Sequence, residues 1–384
     1  MANVTTSTVE QEIKNGRSVA EIARKYRLTR QAIYWHVDKI NKKEKFKNKA
    51  KPKRNYNLLI DWKVYNEGLV KRGEFLLDIE GFEHWREELK RSNQGKQGRP
   101  YQYPDSFILF FLRLKSVFKT DYRTLEGISR KMIAFIPQAR KAPDYTTFCI
   151  RLSELENRME VYQKTESQDI AGDSSGLKTS NRGEYRMSKY RGQRRKFVKL
   201  HLAVNIKTKQ VVWYKVTKEQ RSDTQQLPSM IRHSSHYGKI DKGYFDAGYD
   251  SKNNYQALKE KGIVPVIRPK HTTNLEHARE MIRELEKNGK DDVRLHVLEE
   301  FLLDEEKWKE KYDYGKRWAV EDRYSVFKRL FSEHVWSKKM KNIKPEVSIK
   351  LNLMNLFTHF LLGSKKEEAA TQIKVKEIYP VNPA

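Results

Sequence analysis

The chain has 384 residues, with 78 Lys plus Arg against 50 Asp plus Glu and a formal net charge of +28, an excess that points to a polyanionic partner, nucleic acid first. Its one cysteine, Cys149, excludes a disulfide framework or a cysteine zinc site within the chain and fits a reducing, intracellular setting. The longest apolar run, Phe107 to Leu112, is far short of a membrane span, and the opening MANVTTSTVEQEIKNG lacks the apolar core of a signal peptide.

In chain order, residues 8 to 40 read as short helices. TVEQEIKNG closes at Gly16, and SVAEIARKY opens with the capping-box pair Ser18 and Glu21. A turn at Arg27-Leu28 leads to TRQAIYWHVDKI, with Thr29 as N-cap. This is a helix-turn-helix pattern, with Ala20, Ile22, Ala23, Ile33 and Val37 as its core. Arg30, Gln31, Tyr34 and Trp35 fall near the start of the second helix of the motif, where such motifs meet base edges. The run from Asp38 to Arg54 carries nine Lys or Arg and two acids, and reads as a phosphate-hugging linker. We therefore expect a DNA-binding domain plus linker over 1–54, and a helical DNA-binding or scaffold module over 55–165, broken by glycines and prolines.

The pattern changes at Gln168. QDIAGDSSG, KFVKLHLAVNI and QVVWYKVTKE read as three strands, the last two separated by a break at Thr208-Lys209. A helix (SDTQQLPSMIRHS), a strand (KGYFDAGY), a helix (KNNYQALKEKG, stopped by Gly262) and a strand (IVPVIRP) follow. This is an α/β plan with a mixed sheet over 166–362. A charged helical insertion at about 271–311 interrupts it, a helix over about 347–363 ends it, and 363–384 is a tail.

Asp173 is placed at the end of the first strand and Asp246 at the end of the fourth, each among small residues that let a large ligand approach. Side-by-side first and fourth strands bring both carboxylates to one edge. Glu321 lies 75 residues after Asp246, in YGKRWAVEDRYSVFK, read as one amphipathic helix. There Tyr314, Arg317, Glu321 and Lys328, spaced 3, 4 and 7 apart, share a polar stripe roughly 90° from the apolar stripe of Val320, Tyr324, Phe327 and Phe331. Three carboxylates without cysteine or paired histidine make an all-oxygen donor set suited to two Mg2+ or Mn2+ ions acting on a phosphodiester. Asp223 and Asp250 are read as helix caps, Asp241 as a turn residue, and Asp322 and Glu333 as helix-surface acids. The segment Lys178–Lys199 carries nine Lys or Arg and one acid, and reads as a DNA-gripping loop with Arg191, Arg194 and Arg195. The His233 and His236 of HSSH lack further zinc ligands nearby.

Tyr314-x2-Arg317-x3-Glu321-x6-Lys328 resembles, at all four positions and spacings, the Tyr-Arg-Glu-Lys signature of DDE transposases of the insertion-sequence-four and -five superfamily. GDSSGLK, RRKFVKLHLAV and FDAGYDSKNNYQAL resemble the surroundings of that family's first two aspartates, and the likeness runs from about 97 to 362. It implies a ribonuclease-H-like catalytic fold, with Asp173, Asp246 and Glu321 as the metal-binding triad. Tyr314, Arg317 and Lys328 would contact element-end DNA. Implied too are cleavage at terminal inverted repeats, joining of the 3′-hydroxyl to target DNA, and a homodimer on double-stranded DNA. A cytoplasmic, nucleoid-associated location in a prokaryotic cell goes with this. Two other classes are kept: a catalytically silent helix-turn-helix regulator, and a metal-dependent nuclease without strand transfer.

Overall fold

The computed structural model describes residues 4–15, 17, 19–29, 32–33, 35–37, 39–40, 61–79, 82–155, 159–179, 197–270, 281–285 and 292–363. The chain packs as two units, Met1–Asp61 and Trp62–Ala384.

In the first unit, α1 (Thr6–Lys14) and α2 (Val19–Tyr26) are followed by helical backbone at 32–33, 35–37 and 39–40. Val9, Ile22, Ala23, Ile33 and Ile40 form its core, with Val37 packed against them. Arg27 takes the left-handed conformation the tight turn needs, and the Thr29 hydroxyl accepts from the Ala32 N–H, as a cap does. Glu12 is buried among these helices. It accepts from Tyr26 Oη at 2.8 Å and pairs with Lys25 and Arg17. The hydrogen bonds from Lys25 and Tyr26 hold its carboxyl down at about 2. Ser18, Arg30, Gln31, Tyr34 and most of the basic linker lie outside the described residues.

The second unit begins with five helices: α3 (Trp62–Leu76), α4 (Trp85–Asn93), α5 (Asp105–Phe118), α6 (Tyr122–Met132) and α7 (Tyr145–Leu152). α5 is buried almost all round, which is why its sequence is apolar on every face. Its Phe107 and Phe111 meet Phe82, Trp85, Tyr103 and Phe148 ring to ring. These side chains belong to the same continuous core as the sheet.

The sheet has five strands: β1 (Ser167–Lys178), β2 (Phe197–Asn205), β3 (Val211–Lys218), β4 (Lys239–Phe245) and β5 (Val264–Ile267). Their order is β3-β2-β1-β4-β5. β2 runs antiparallel to both neighbours, whereas β4 and β5 run parallel to β1. A five-stranded mixed sheet of this order, with only its second strand reversed and helices flanking it, is the ribonuclease-H-like arrangement. The β2–β3 turn puts Lys209 in the left-handed region, and Gly262 (φ +65) ends the helix before β5. Helices α8 (Leu227–Ser234) and α9 (Lys252–Glu260) connect β3 to β4 and β4 to β5. The insertion supplies α10 (Val293–Leu303) and α11 (Glu305–Tyr312).

Two helices close the unit, α12 (Trp318–Phe331) and α13 (Met340–Gly363). α13 starts earlier than the expected 347, passing through Pro345. Its Asn355 is fully buried and grips the sheet. The side chain accepts from Val211 N–H and donates to Val211 O, both at 2.8 Å. At Gly68 of α3 a Cβ would meet Phe360 O at 2.8 Å, so glycine lets α3 and α13 approach. Glu346 and Lys350 of α13 form a buried ion pair at 2.8 Å. Glu346 also accepts from the Trp336 and Ser337 N–H groups at 3.0 and 2.8 Å, which pins the connection between α12 and α13.

Candidate active site

β1 and β4 pair in parallel up to Gly172↔Phe245. The next residue on each strand is Asp173 and Asp246, so the two carboxylates arise one strand apart. β4 stops there, but β1 does not. Asp173 is not the end of its strand: β1 continues to Lys178, because β2 goes on pairing with it as far as Lys178↔Phe197. Asp173 stands where β1 loses its parallel neighbour, which opens one flank of the strand beside Asp246.

Both aspartates are held by their own backbone turns. The Ser174 N–H donates to Asp173 Oδ1 at 2.7 Å, and the Gly248 N–H donates to Asp246 Oδ1 at 2.9 Å. Gly248 is fixed by space: an added Cβ would meet Asp246 Oδ1 at 2.9 Å. The β1 backbone at Gly172 is just as tight, with Met230 Sδ and the Phe245 ring 2.6 Å from a built Cβ. The small residues noted around the aspartates therefore serve close packing under the site.

Glu321 reaches this edge on α12. That helix is fixed by Tyr324, one turn further on, whose buried hydroxyl lies 2.8 Å from Asp173 O and 2.7 Å from Leu200 O and donates to them. The apolar stripe Val320, Tyr324, Phe327 and Phe331 is buried as its spacing requires. The polar stripe is not one continuous α-helix. Asp313 is left-handed, Tyr314–Arg317 is a 3-10 turn, and α12 begins only at Trp318. A 3-10 turn aligns i with i+3, so Tyr314 and Arg317 still share a face. Arg317 lies 5.8 Å from the centre of the Tyr314 ring.

Arg317 is engaged with the carboxylates. It pairs with Glu321 and stands 3.9 Å from Asp173 Oδ2. Tyr314 is half-buried against Trp308, and its hydroxyl donates to Phe245 O at 3.3 Å, bracing the residue before Asp246. Lys328 is partly exposed and has no acidic partner among the described residues.

Burial pushes the Asp173 carboxyl up to about 6, with the Asp246 and Glu321 charges adding to the rise and Arg317 opposing it. Asp246 is raised as well, first by burial. Both aspartates thus sit short of positive charge. The donor set of three carboxylates suits a hard divalent ion. Among the described residues, however, no three His, Cys, Asp or Glu side chains stand close enough to hold a metal as placed. Arg317, inserted between Glu321 and Asp173, is the cation that this arrangement holds.

The family profile described as Transposase DDE domain matches residues 164–356, half of the chain, and a second profile of the same description matches 70–182. The chain belongs to the DDE transposase family. It is a DNA transposase by that membership, and enzymes of this family cleave and transfer DNA strands with divalent metals. Solved structures with some likeness include a piggyBac transposase synaptic complex with hairpin DNA, at 12% identity and TM-score 0.37, covering 83% of this chain and 86% of that one. The Drosophila P element transposase strand transfer complex is 11% identical with TM-score 0.26, covering 71% of this chain and 70% of that one. At such TM-scores they add nothing to the family match.

Several residues of this DDE chain differ from their sequence reading. Asp250 does not cap α9; Ser251 does, accepting from the Asn254 N–H. Asp250 is instead a buried ion-pair partner of Arg294, at 2.6 Å, and accepts from the Lys270 N–H, tying the insertion to the site's turn. Asp241 lies inside β4. Asp223 makes no capping bond. Glu333 pairs with Lys178 beyond the end of α12. His201 is fully buried, 2.9 Å from Thr217 Oγ1, and burial drives its pKa down to about 4. His233 and His236 are exposed, with ring centres 6.3 Å apart. Trp318, unremarked in the sequence, exposes two thirds of its surface (68%) at the start of α12, one turn before Glu321. Arg191, Arg194 and Arg195 lie outside the described residues.

Proposed function

We propose that this chain is an active transposase of the insertion-sequence-four and -five type. It binds the terminal inverted repeats of its element, cleaves phosphodiester bonds there and joins the 3′-hydroxyl ends to target DNA. Asp173, Asp246 and Glu321 would hold two Mg2+ or Mn2+ ions. When bound, such ions activate the attacking oxygen and stabilise the leaving one.

The observation that carries this reading is the pair of under-neutralised aspartates at neighbouring strand positions, with Glu321 brought to them by the Tyr324-anchored helix. Each protein group has a task. β1 and β4 set the spacing of Asp173 and Asp246. Tyr314 braces the end of β4 from below. Arg317 neutralises Glu321 and Asp173 in the metal-free state and turns to phosphate as DNA enters. Lys328, about two turns along α12, meets the strand further on. The N-terminal unit and the basic segments, including Arg30, Gln31, Tyr34, Arg191, Arg194 and Arg195, add phosphate and base contacts. Two copies of the chain act on paired ends.

The test is incubation of wild type and Asp246→Ala with DNA carrying the element's ends and Mg2+. Cleavage by wild type alone is expected, and identical products from both proteins refute the assignment. Pre-cut ends then separate the transposase from a nuclease without strand transfer, and end binding without cutting by wild type would mark a silent regulator.

A further inference from the structure

Outside the triad, the turn that follows β3 makes a second set of polar contacts with the site. Lys199 Nζ lies 2.9 and 3.1 Å from the two carboxylate oxygens of Asp223, and His201 Nδ1 lies 3.4 Å from Asp223 Oδ1. Lys199 comes from β2, so its ion pair ties the Asp223 carboxylate to the sheet, while the buried His201 stands close without a hydrogen bond through Nδ1 among the described residues. The next residue, Thr224, donates its hydroxyl to Gly248 O at 2.8 Å, where Lys270 Nζ also approaches at 3.4 Å. The Gly248 N–H, which belongs to the preceding peptide group, donates to Asp246 Oδ1 at 2.9 Å. Contacts thus run from β2 through the adjacent residues Asp223 and Thr224 to the turn whose Gly248 N–H holds the carboxylate of Asp246. The same 3-10 turn, Ala247–Tyr249, carries Tyr249, fully buried, whose hydroxyl has no hydrogen-bond partner among the described residues. That phenol is raised well above its usual range, first by burial and then by the charges of Asp223, Asp173 and Asp246.

We propose that Asp223 and Thr224 are positioning residues for Asp246: Thr224 fixes the 3-10 turn whose Gly248 N–H holds the Asp246 carboxylate, and Asp223 adds a fourth negative charge behind the triad. The inference rests on the metal-site reading above. A carboxylate held by one backbone N–H swings about that bond, and a metal ligand needs its orientation set from outside. Thr224 supplies that restraint by holding the next peptide of the same turn through the Gly248 carbonyl. Asp223 deepens the negative potential at Asp246 while Lys199 keeps it from turning inward as a ligand itself. This replaces the capping role that the sequence assigned to Asp223.

The experiment uses the full chain and Mn2+ binding measured by calorimetry, with thermal melting alongside. Thr224→Val and Asp223→Asn are each expected to weaken Mn2+ binding about tenfold or more with little change in melting temperature. Thr224→Ser, which keeps the hydroxyl, restores it. Wild-type affinity in either Thr224→Val or Asp223→Asn overturns the proposal, as does a loss matched by a collapse of the melting transition in both. Asp246→Asn separates the two levels. Loss in Asp246→Asn alone removes the positioning role and keeps the metal site. Wild-type affinity in Asp246→Asn removes the metal site itself.

Discussion

Asp173 carries a cost that the fold absorbs. Its carboxyl, pushed up to about 6 by burial and by Asp246 and Glu321, is ionised at neutral pH against its surroundings. The folded chain binds this proton more tightly than the unfolded one. Stability therefore falls as pH rises from the unfolded value near 4 to the folded value near 6, and stays lowered above it. Asp173→Asn has no such titration. In metal-free protein it is expected to raise stability at pH 7 by on the order of 1–3 kcal/mol, with the gain fading below about pH 4, as denaturant melts at both pH values will show. The same substitution should abolish cleavage, a trade common where a site is built against stability. Gly248 gives a steric counterpart. Gly248→Ala places a Cβ against Asp246 Oδ1, and a fall in cleavage with end binding retained is the expected outcome of gel assays.

At the scale of elements, α12 is the decisive piece, and Tyr324 is its anchor. Tyr324→Phe leaves Asp173 O and Leu200 O short of their donor, at a cost of about 1–3 kcal/mol in chemical melts and with slower cleavage as Glu321 drifts. Much of this element was legible from spacing: Val320, Tyr324, Phe327 and Phe331 recur at helical intervals and are buried. The neighbouring placement of β1 and β4 followed from the order of strands and helices, and Thr208-Lys209 marked its turn. What escaped sequence reading depends on partners far along the chain. β1 outruns Asp173 because β2 pairs with it, and no local residue announces that. The 3-10 turn at Tyr314–Arg317 follows from a left-handed Asp313, a residue that tolerates but does not demand that conformation. Asp223 and Asp250 read as caps because Asp often caps. Lys199 and Arg294, which claim them, arrive from other elements. The four-residue spacing of Arg317 and Glu321 on one stripe was legible, but the approach of Arg317 to Asp173 was not.

Across the whole molecule, the sheet and the helices of the second unit share one core, so the site depends on packing well away from it. Glu346 is an instance. Buried with Lys350 and beside Lys115, its carboxyl lies down at about 2 although burial alone would raise it. A depressed carboxyl contributes stability in full above its unfolded pKa and loses it as pH falls toward 2. Glu346→Gln leaves Lys350 buried without its counter-charge and is expected to destabilise by about 3–5 kcal/mol at pH 7, measurable by urea melts. The net charge of +28 belongs to this scale too. End binding should weaken steeply with salt, and Lys328→Ala should reduce the slope of log K against log salt by about 1. The direct test of the central claim is anomalous diffraction at the manganese edge from crystals of the chain with its element-end DNA and Mn2+. Manganese peaks ligated by Asp173, Asp246 and Glu321, with Arg317 swung toward phosphate, are the predicted result. Arg317 still seated between Glu321 and Asp173, with no manganese at the three carboxylates, would contradict it.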